Sequence, residues 1–183
     1  MEIKKVSLAD LPQVMGVIND AKAWLRPLTT HQWQYGYPNE NTMRKDIEIG
    51  ALFGVYEGKT LLAIVALIKG WNPDYETLYD GKWDVPHTAE DLVMHRIAVK
   101  DEARGKGLGH LLFEFAEEVA KKLGCPSIKI DTHLKNLPMR KLCEDHGYTH
   151  SGTIILRRGE PNSERMLFEK GRRGFLEESA FFH

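Results

Sequence analysis

Cysteine is scarce: a chain of 183 residues has 2, Cys125 and Cys143. Two thiols build neither a disulfide framework nor a four-cysteine zinc site, and no metal is expected. Excess charge is lacking as well, with Lys plus Arg at 25, Asp plus Glu at 26 and a net charge of −1. That removes the global electrostatic case for nucleic acid or an anionic membrane as a partner. Long apolar runs are missing. The longest, Leu61–Ile68, is far short of the roughly 20 residues a membrane-spanning helix needs. The opening Met1-Glu-Ile-Lys-Lys-Val6 has no long apolar segment, so no secretory leader is expected and a reducing, cytoplasmic setting is. No internal repeat and no low-complexity tract occurs.

What is present is ordinary globular composition, 42% hydrophobic and 28% charged. A chain this long buries roughly 70% of its unfolded surface and needs no staples. One domain over residues 1–169 is expected, with a weakly patterned tail at 170–183.

Residues 2–6 alternate as a first strand. Ser7-Leu-Ala-Asp10 reads as a capping box, followed by Leu11, Val14, Met15 and Ile18 at helical spacing. That helix is expected to reach about Ala23, with Pro27 beyond its end. Residues 25–38 read as a loop bearing Trp33, Tyr35 and Tyr37. Asn41 or Thr42 is expected to cap a second helix that Gly50 ends. Residues 51–56 and 60–68 flank Glu57-Gly58-Lys59 and predict an antiparallel hairpin. A long polar segment, 70–90, carries Trp71, Tyr75, Tyr79 and Trp83; loops of that length are more often functional than idle. Val93–Val99 reads as a strand. The best helix comes next, with Leu108, Leu111, Leu112, Phe115 and Val119 on one face and Glu117→Lys121 and Glu118→Lys122 on the other. After Gly124 come a strand at 127–132, a helix at 138–145 capped by Asn136, and strands at 148–156 and 165–169. Strands interleaved with helices in this order make an α/β (α+β) sandwich.

The chemistry lies between the Val93–Val99 strand and the best helix: Val99-Lys-Asp-Glu-Ala-Arg104-Gly105-Lys106-Gly107-Leu108-Gly109. Glycines let the backbone approach a ligand, and the unpaired amides and dipole of a helix start attract anions. The segment therefore suits phosphate or pyrophosphate. A Walker A loop is excluded, because no Gly-x-x-x-x-Gly-Lys-Ser/Thr string exists. A dinucleotide fingerprint fails at His110, where its third glycine belongs. The remaining pattern is Arg-x-x-Gly-x-Gly: Arg104, Gly107, Gly109.

That string, at a strand-to-helix junction, resembles the first signature of the GNAT superfamily of acyl-CoA-dependent N-acetyltransferases. Asp101 stands where the family usually has Pro. A second stretch, Asn136-Leu-Pro-Met-Arg-Lys-Leu142-Cys-Glu-Asp-His-Gly147-Tyr148, is similar to the family's Asn-x-x-Ala-x-x-Leu-Tyr-x-x-x-Gly-Phe. The resemblance implies a GNAT-like mixed, mostly antiparallel sheet, splayed at a central parallel strand pair and flanked by helices. It implies acetyl-CoA as acyl donor, with CoA as product. The backbone of Ile97, Ala98 and Val99 would pair with the pantetheine arm. Arg104, Gly105, Lys106, Gly107, Leu108 and Gly109 would take the pyrophosphate. Asn136, Met139 and Leu142 would line the same cofactor wall.

The implied reaction is attack of a neutral primary amine on the thioester in a ternary complex. A backbone N–H would stabilise the oxyanion, a base would take the amine proton and an acid would protonate the thiolate. The family's usual acid, a Tyr, is Cys143 here, so this thiol is either the acid or helix packing. His95 and His133 are the candidate bases. Trp33, Tyr37, Trp71 and Asp131 are assigned to the acceptor, with Asp131 as partner for a cationic amine. The acceptor is expected to be a small molecule. A protein or peptide amine is the alternative, as is a non-catalytic acyl-CoA sensing module, or a nucleotide-binding protein of another class. The last strands and the tail are candidates for a homodimer contact.

Overall fold

The computed structural model describes residues 1–29 and 31–177. In chain order the elements are β1 (Glu2–Lys5), α1 (Leu11–Thr29), α2 (Glu40–Glu48), β2 (Leu52–Glu57), β3 (Thr60–Lys69), β4 (Leu92–Val99), α3 (Leu108–Leu123), β5 (Ser127–Thr132), α4 (Leu137–Asp145), β6 (Thr149–Ile155), β7 (Glu164–Gly171) and α5 (Arg172–Glu177). The chain divides into two compact units: residues 1–67 with 95–112, and residues 68–94 with 113 onward. The division falls inside β3, β4 and α3.

In the first unit the strand order is β1-β2-β3-β4. β1 and β2 pair antiparallel, Ile3 opposite Val55, and β2 and β3 form the expected hairpin around Gly58. Lys100 N–H donates to Leu62 C=O at 2.8 Å, at the end of β4. α1 buries Leu11, Val14, Val17, Ile18, Ala21 and Leu25, an i, i+3, i+4, i+7 stripe that packs with Met43, Ile47, Leu52, Leu61 and Ile64 into one core. Each such side chain contributes roughly 1.5–3 kcal/mol of transfer free energy when fully buried.

Three expectations fail in this unit. Ser7 makes no side-chain cap; a 3-10 turn, Leu8–Asp10, precedes α1, and Asp10 instead accepts from the Tyr56 hydroxyl at 2.8 Å. α1 does not stop at Ala23 but runs to Thr29 through Pro27. A proline near a helix end costs one backbone hydrogen bond, and Leu25 buried on the core stripe outweighs it. The cap of α2 is neither Asn41 nor Thr42 but Asn39, in a reciprocal capping box with Thr42.

In the second unit the order is β4-β5-β7-β6. β5 pairs antiparallel with β7, and β7 with β6. β4 pairs with β5 in parallel through Leu92–Ile128 and Val93–Lys129; β4 continues from Met94 to Val99 beyond these pairs. This is the short parallel contact expected of a splayed pair. The 70–90 segment is not loose. Tyr79 bridges Thr153, and Tyr75 is fully buried with Val93, Ile154, Leu156 and Leu167, with Trp83 packed against them.

The buried side of α3 differs from the expected face. Leu108, Leu112, Phe113, Ala116 and Ala120 are buried, and so is Glu117. Glu117 does not sit on a solvated face with Lys121; its carboxylate meets Lys170 Nζ of β7 at 3.0 Å, and Lys121 pairs with Glu118 instead. The two alanines leave a shallow face, which rotates the helix away from the bulkiest stripe. The tail forms α5, whose Phe175 is fully buried; Phe181 and Phe182 lie outside the described residues.

Candidate active site

After β4 the chain makes a 3-10 turn, Asp101–Ala103, that Arg104 ends. Gly105 and Gly107 both adopt φ +76°, a left-handed geometry that L side chains disfavour. At the start of α3 the Leu111 N–H donates to Gly107 C=O at 3.1 Å; the first turn of a helix is in general where amides have no intrahelical acceptor. A Cβ built at Gly105 or Gly107 meets nothing within 4 Å. The turn is open on its outer side.

Arg104 is the charged wall of this turn. Its guanidinium lies 4.5 Å over the Trp24 ring, and its Nε donates to Asp101 Oδ1 at 3.1 Å. Its Nη2 is buried and has no hydrogen-bond partner. A buried N–H of a cation without an acceptor is costly, and an anionic group laid on the turn would satisfy it. The residues present therefore fit a phosphate-bearing cofactor such as CoA. Lys106 is exposed, while Leu108 is buried and serves packing. Sequence reasoning missed Trp24 and Asp101, whose contacts to Arg104 are tertiary or conformational.

It also missed Arg96. This residue, in β4 just before Ile97, has φ +53°. Its side chain grips Asp46 of α2 through two hydrogen bonds, Nε to Oδ2 and Nη2 to Oδ1, the latter 2.8 Å long, while Nη1 donates to the Tyr37 hydroxyl at 2.7 Å. Burial pushes the Arg96 pKa down, but Tyr37 and the Asp46 carboxylate together raise it above the ordinary value. One signal was available: His95-Arg96 puts two polar residues in succession and breaks the strand's alternation, a mark of a bulge. Trp33 takes φ +63° and packs in the core of this unit, 9% exposed. Tyr37 is half-buried against the same core.

In the second unit, Asn136 caps α4 as expected, accepting from Met139 N–H at 3.3 Å. Met139 and Leu142 are half-buried. Cys143 is fully buried, and burial pushes its thiol up to about 12. From there, proton transfer to a thiolate whose conjugate acid lies near 8.5, the reference value for a thiol, runs uphill. The packing role fits this sulfur; the acid role does not. His133 is buried, and the Lys135 N–H donates to its Nδ1 at 3.1 Å. A backbone N–H can only donate, so the neutral ring carries its proton on Nε2.

Asp131 accepts the Tyr75 hydroxyl at 2.6 Å. Burial raises its carboxyl pKa, against the opposing pull of that hydrogen bond and of Arg165 and Arg158. Next to it the Thr132 hydroxyl is buried with no partner. Trp71 is half-exposed and stacks on His87 at 4.6 Å. His87 in turn holds the segment: Asn72 N–H donates to its Nε2 at 2.9 Å, and its Nδ1 lies 2.8 Å from Asp91. Asp91 also accepts from Ser127, beside the fully buried Lys129. Among the described residues, no helix is long and apolar enough to cross a membrane.

Strand order, short parallel ladder and open phosphate turn together define a class of acyltransferase. A family model described as the Acetyltransferase (GNAT) family matches residues 18–148. The chain belongs to that family and is an acyltransferase. It is similar to the crystal structure of a GNAT-family acetyltransferase from Streptococcus agalactiae 2603, with 29% identity, a TM-score of 0.82, and 93% of this chain and 94% of that one covered. The PaiA N-acetyltransferase of Thermoplasma acidophilum, solved in complex with coenzyme A, shares the fold at 17% identity and a TM-score of 0.67, covering 93% and 98%. So does the ribosomal-protein-S18-alanine N-acetyltransferase of Escherichia coli, at 14% identity and a TM-score of 0.65, covering 93% and 92%. No curated protein matches the chain.

Proposed function

We propose that residues 1–169 form a transferase domain that moves an acetyl group from acetyl-CoA to the primary amine of a small molecule. The observation that carries the donor half is the buried Arg104 Nη2 without a partner, beside a turn whose two left-handed glycines have nothing within 4 Å of an added Cβ. The pyrophosphate would lie on residues 104–109. The pantetheine arm would run along the backbone of Ile97, Ala98 and Val99, and the family's second signature assigns Asn136, Met139 and Leu142 to the same cofactor. Acetyl-CoA supplies a thioester carbonyl that an amine can attack.

The acceptor half rests on Asp131. A carboxyl whose ionisation is resisted by burial favours a cation as partner. Trp71, in the same unit as Asp131, offers apolar surface; Tyr37 and Trp33 enter this reading from the sequence alone. His95 is the base in this reading. His133, with its proton on Nε2, is placed to donate rather than accept. The thiolate leaves without help from Cys143.

The buried Cys143 also favours a second reading, an acyl-CoA sensing module that lacks the proton donor. A protein or peptide amine, the acceptor named for the Escherichia coli relative, is the third. Calorimetry with CoA and acetyl-CoA, followed by thiol release across panels of small amines and peptides, separates them. Micromolar binding with turnover of small amines is expected. Binding without turnover supports the sensor, and turnover confined to peptides supports the third reading. A folded protein that binds neither cofactor would refute all three.

A further inference from the structure

Arg96 combines three features that are rarely found together. It is a non-glycine residue in the left-handed region, at φ +53°, inside a strand. Its guanidinium is held along its edges by Asp46, through Nε and Nη2, and by the Tyr37 hydroxyl, through Nη1. The ion pair is buried, the two side chains being 9% and 4% exposed. A strand does not adopt this geometry by preference, and such outliers persist only where their surroundings over-determine them. Here the surroundings are the carboxylate of α2 and the hydroxyl of the α1–α2 connection.

The position matters because Ile97 is the next residue along the strand. A left-handed residue rotates the next peptide plane, so the backbone angles at Arg96 set where the Arg96 C=O and the Ile97 N–H point. Resting on the proposed function, we infer that Arg96 is a positioning residue. Clamped by Asp46 and Tyr37, it holds β4 in the kink that aims the Ile97–Val99 backbone at the acyl donor. Arg96 touches neither donor nor acceptor; its charge is spent on Asp46. The clamp also ties Tyr37 to the same strand, so one side chain sets both the donor's backbone partner and the residue assigned to the acceptor.

The test is a series at position 96 in an Asp46→Asn background, which avoids leaving a buried carboxylate unpaired. Arg96→Gly, Arg96→Ala and Arg96→Val are compared for kcat, for KM of acetyl-CoA and for thermal midpoint. Glycine accepts φ +53° freely, alanine with strain, and β-branched valine hardly at all. The expected order of kcat is Gly, then Ala, then Val, each step about fivefold or more, with a smaller effect on KM. The same strain lowers the thermal midpoint in the same order, so the midpoint is read only to confirm folding and kcat per folded molecule carries the test. A purely structural role would leave kcat per folded molecule equal across the three variants while only the midpoint changes, and that result overturns the proposal. Should the background variant not fold, Tyr37→Phe alone, which removes one of the clamp's partners, is expected to lower kcat about threefold or more, the scale of one lost hydrogen bond; an unchanged kcat overturns the proposal. A folded wild type that binds no CoA would overturn the functional reading and this inference together. Wild-type turnover with the reversed order overturns this inference alone.

Discussion

Replacing Gly107 by Ala and by Trp separates two contributions of the phosphate turn. At φ +76° an L side chain pays a conformational penalty, of about 1–2 kcal/mol for the left-handed region. An added Cβ meets no atom within 4 Å, so no clash adds to that penalty. Alanine therefore tests backbone strain alone. For a chain of this length about 1–2 kcal/mol lowers the melting temperature by roughly 2–8 °C. If the turn relaxes out of its left-handed geometry, the same energy reappears as CoA affinity weakened by about five- to thirtyfold. Tryptophan adds a ring on the open side of the turn, and binding is expected to fall at least about a hundredfold with no larger loss of melting temperature than alanine causes. Calorimetric titration with CoA, beside thermal unfolding of each variant, measures both. Wild-type affinity together with an unchanged melting temperature in Gly107→Ala would refute the argument from geometry, and wild-type affinity in Gly107→Trp would remove the cofactor from this turn altogether.

Lys170→Met leaves the Glu117 carboxylate buried and is expected to cost about 3–5 kcal/mol in denaturant unfolding, whereas Glu117→Leu with Lys170→Met should cost far less. Asp131 has a raised pKa, so its ionised form costs stability, and the cost grows as pH rises from the unfolded value through the folded one. Asp131→Asn is accordingly expected to raise the melting temperature at pH 7, to give no gain below about pH 4, and to lower turnover of cationic amines. Asp91 is the opposite case. Desolvation, the largest influence, pushes its pKa up, but His87, the Thr88 amide, Ser127 and Lys129 together pull it below the ordinary value. Its stabilisation is complete above the unfolded pKa and is lost as pH falls through the lower folded one; Asp91→Asn should therefore cost about 3–5 kcal/mol at pH 7 and little in strong acid. Asn39→Ala is expected to cost about 1 kcal/mol, the usual worth of an N-cap, read by chemical denaturation.

Local signals in the sequence were dependable where a single residue decides the geometry. Gly58 set the β2–β3 hairpin, Gly124 and Gly147 closed their helices, and Asn136 capped α4 as its position implies. The turn after β4 was legible for the same reason: the glycine spacing announces the left-handed Gly105 and Gly107 that the backbone adopts there. What could not be read was decided by partners far along the chain. Arg96 and Asp46 are fifty positions apart, and nothing near either residue announces the other. Glu117 looked like a solvated partner for Lys121 because its true partner, Lys170, lies on another element. α1 outran Pro27 because burial of Leu25 overrode a local stop signal, and α5 is too short for a periodic pattern. Asp131 was recognised as a carboxyl at a strand end, but its hydroxyl partner, Tyr75, sits in a segment that reads from sequence as an unstructured loop.

The two cysteines give the molecule a further property. Both are free and buried, and burial raises the pKa of each thiol. Native protein is thus expected to be almost inert toward a thiol-reactive dye at neutral pH, leaving CoA released by turnover as the main source of colour. Any slow labelling of the chain itself would then time the opening of the segments around Cys125 and Cys143. The same reagent would thus count catalytic events on a scale of seconds and report local unfolding on a scale of hours.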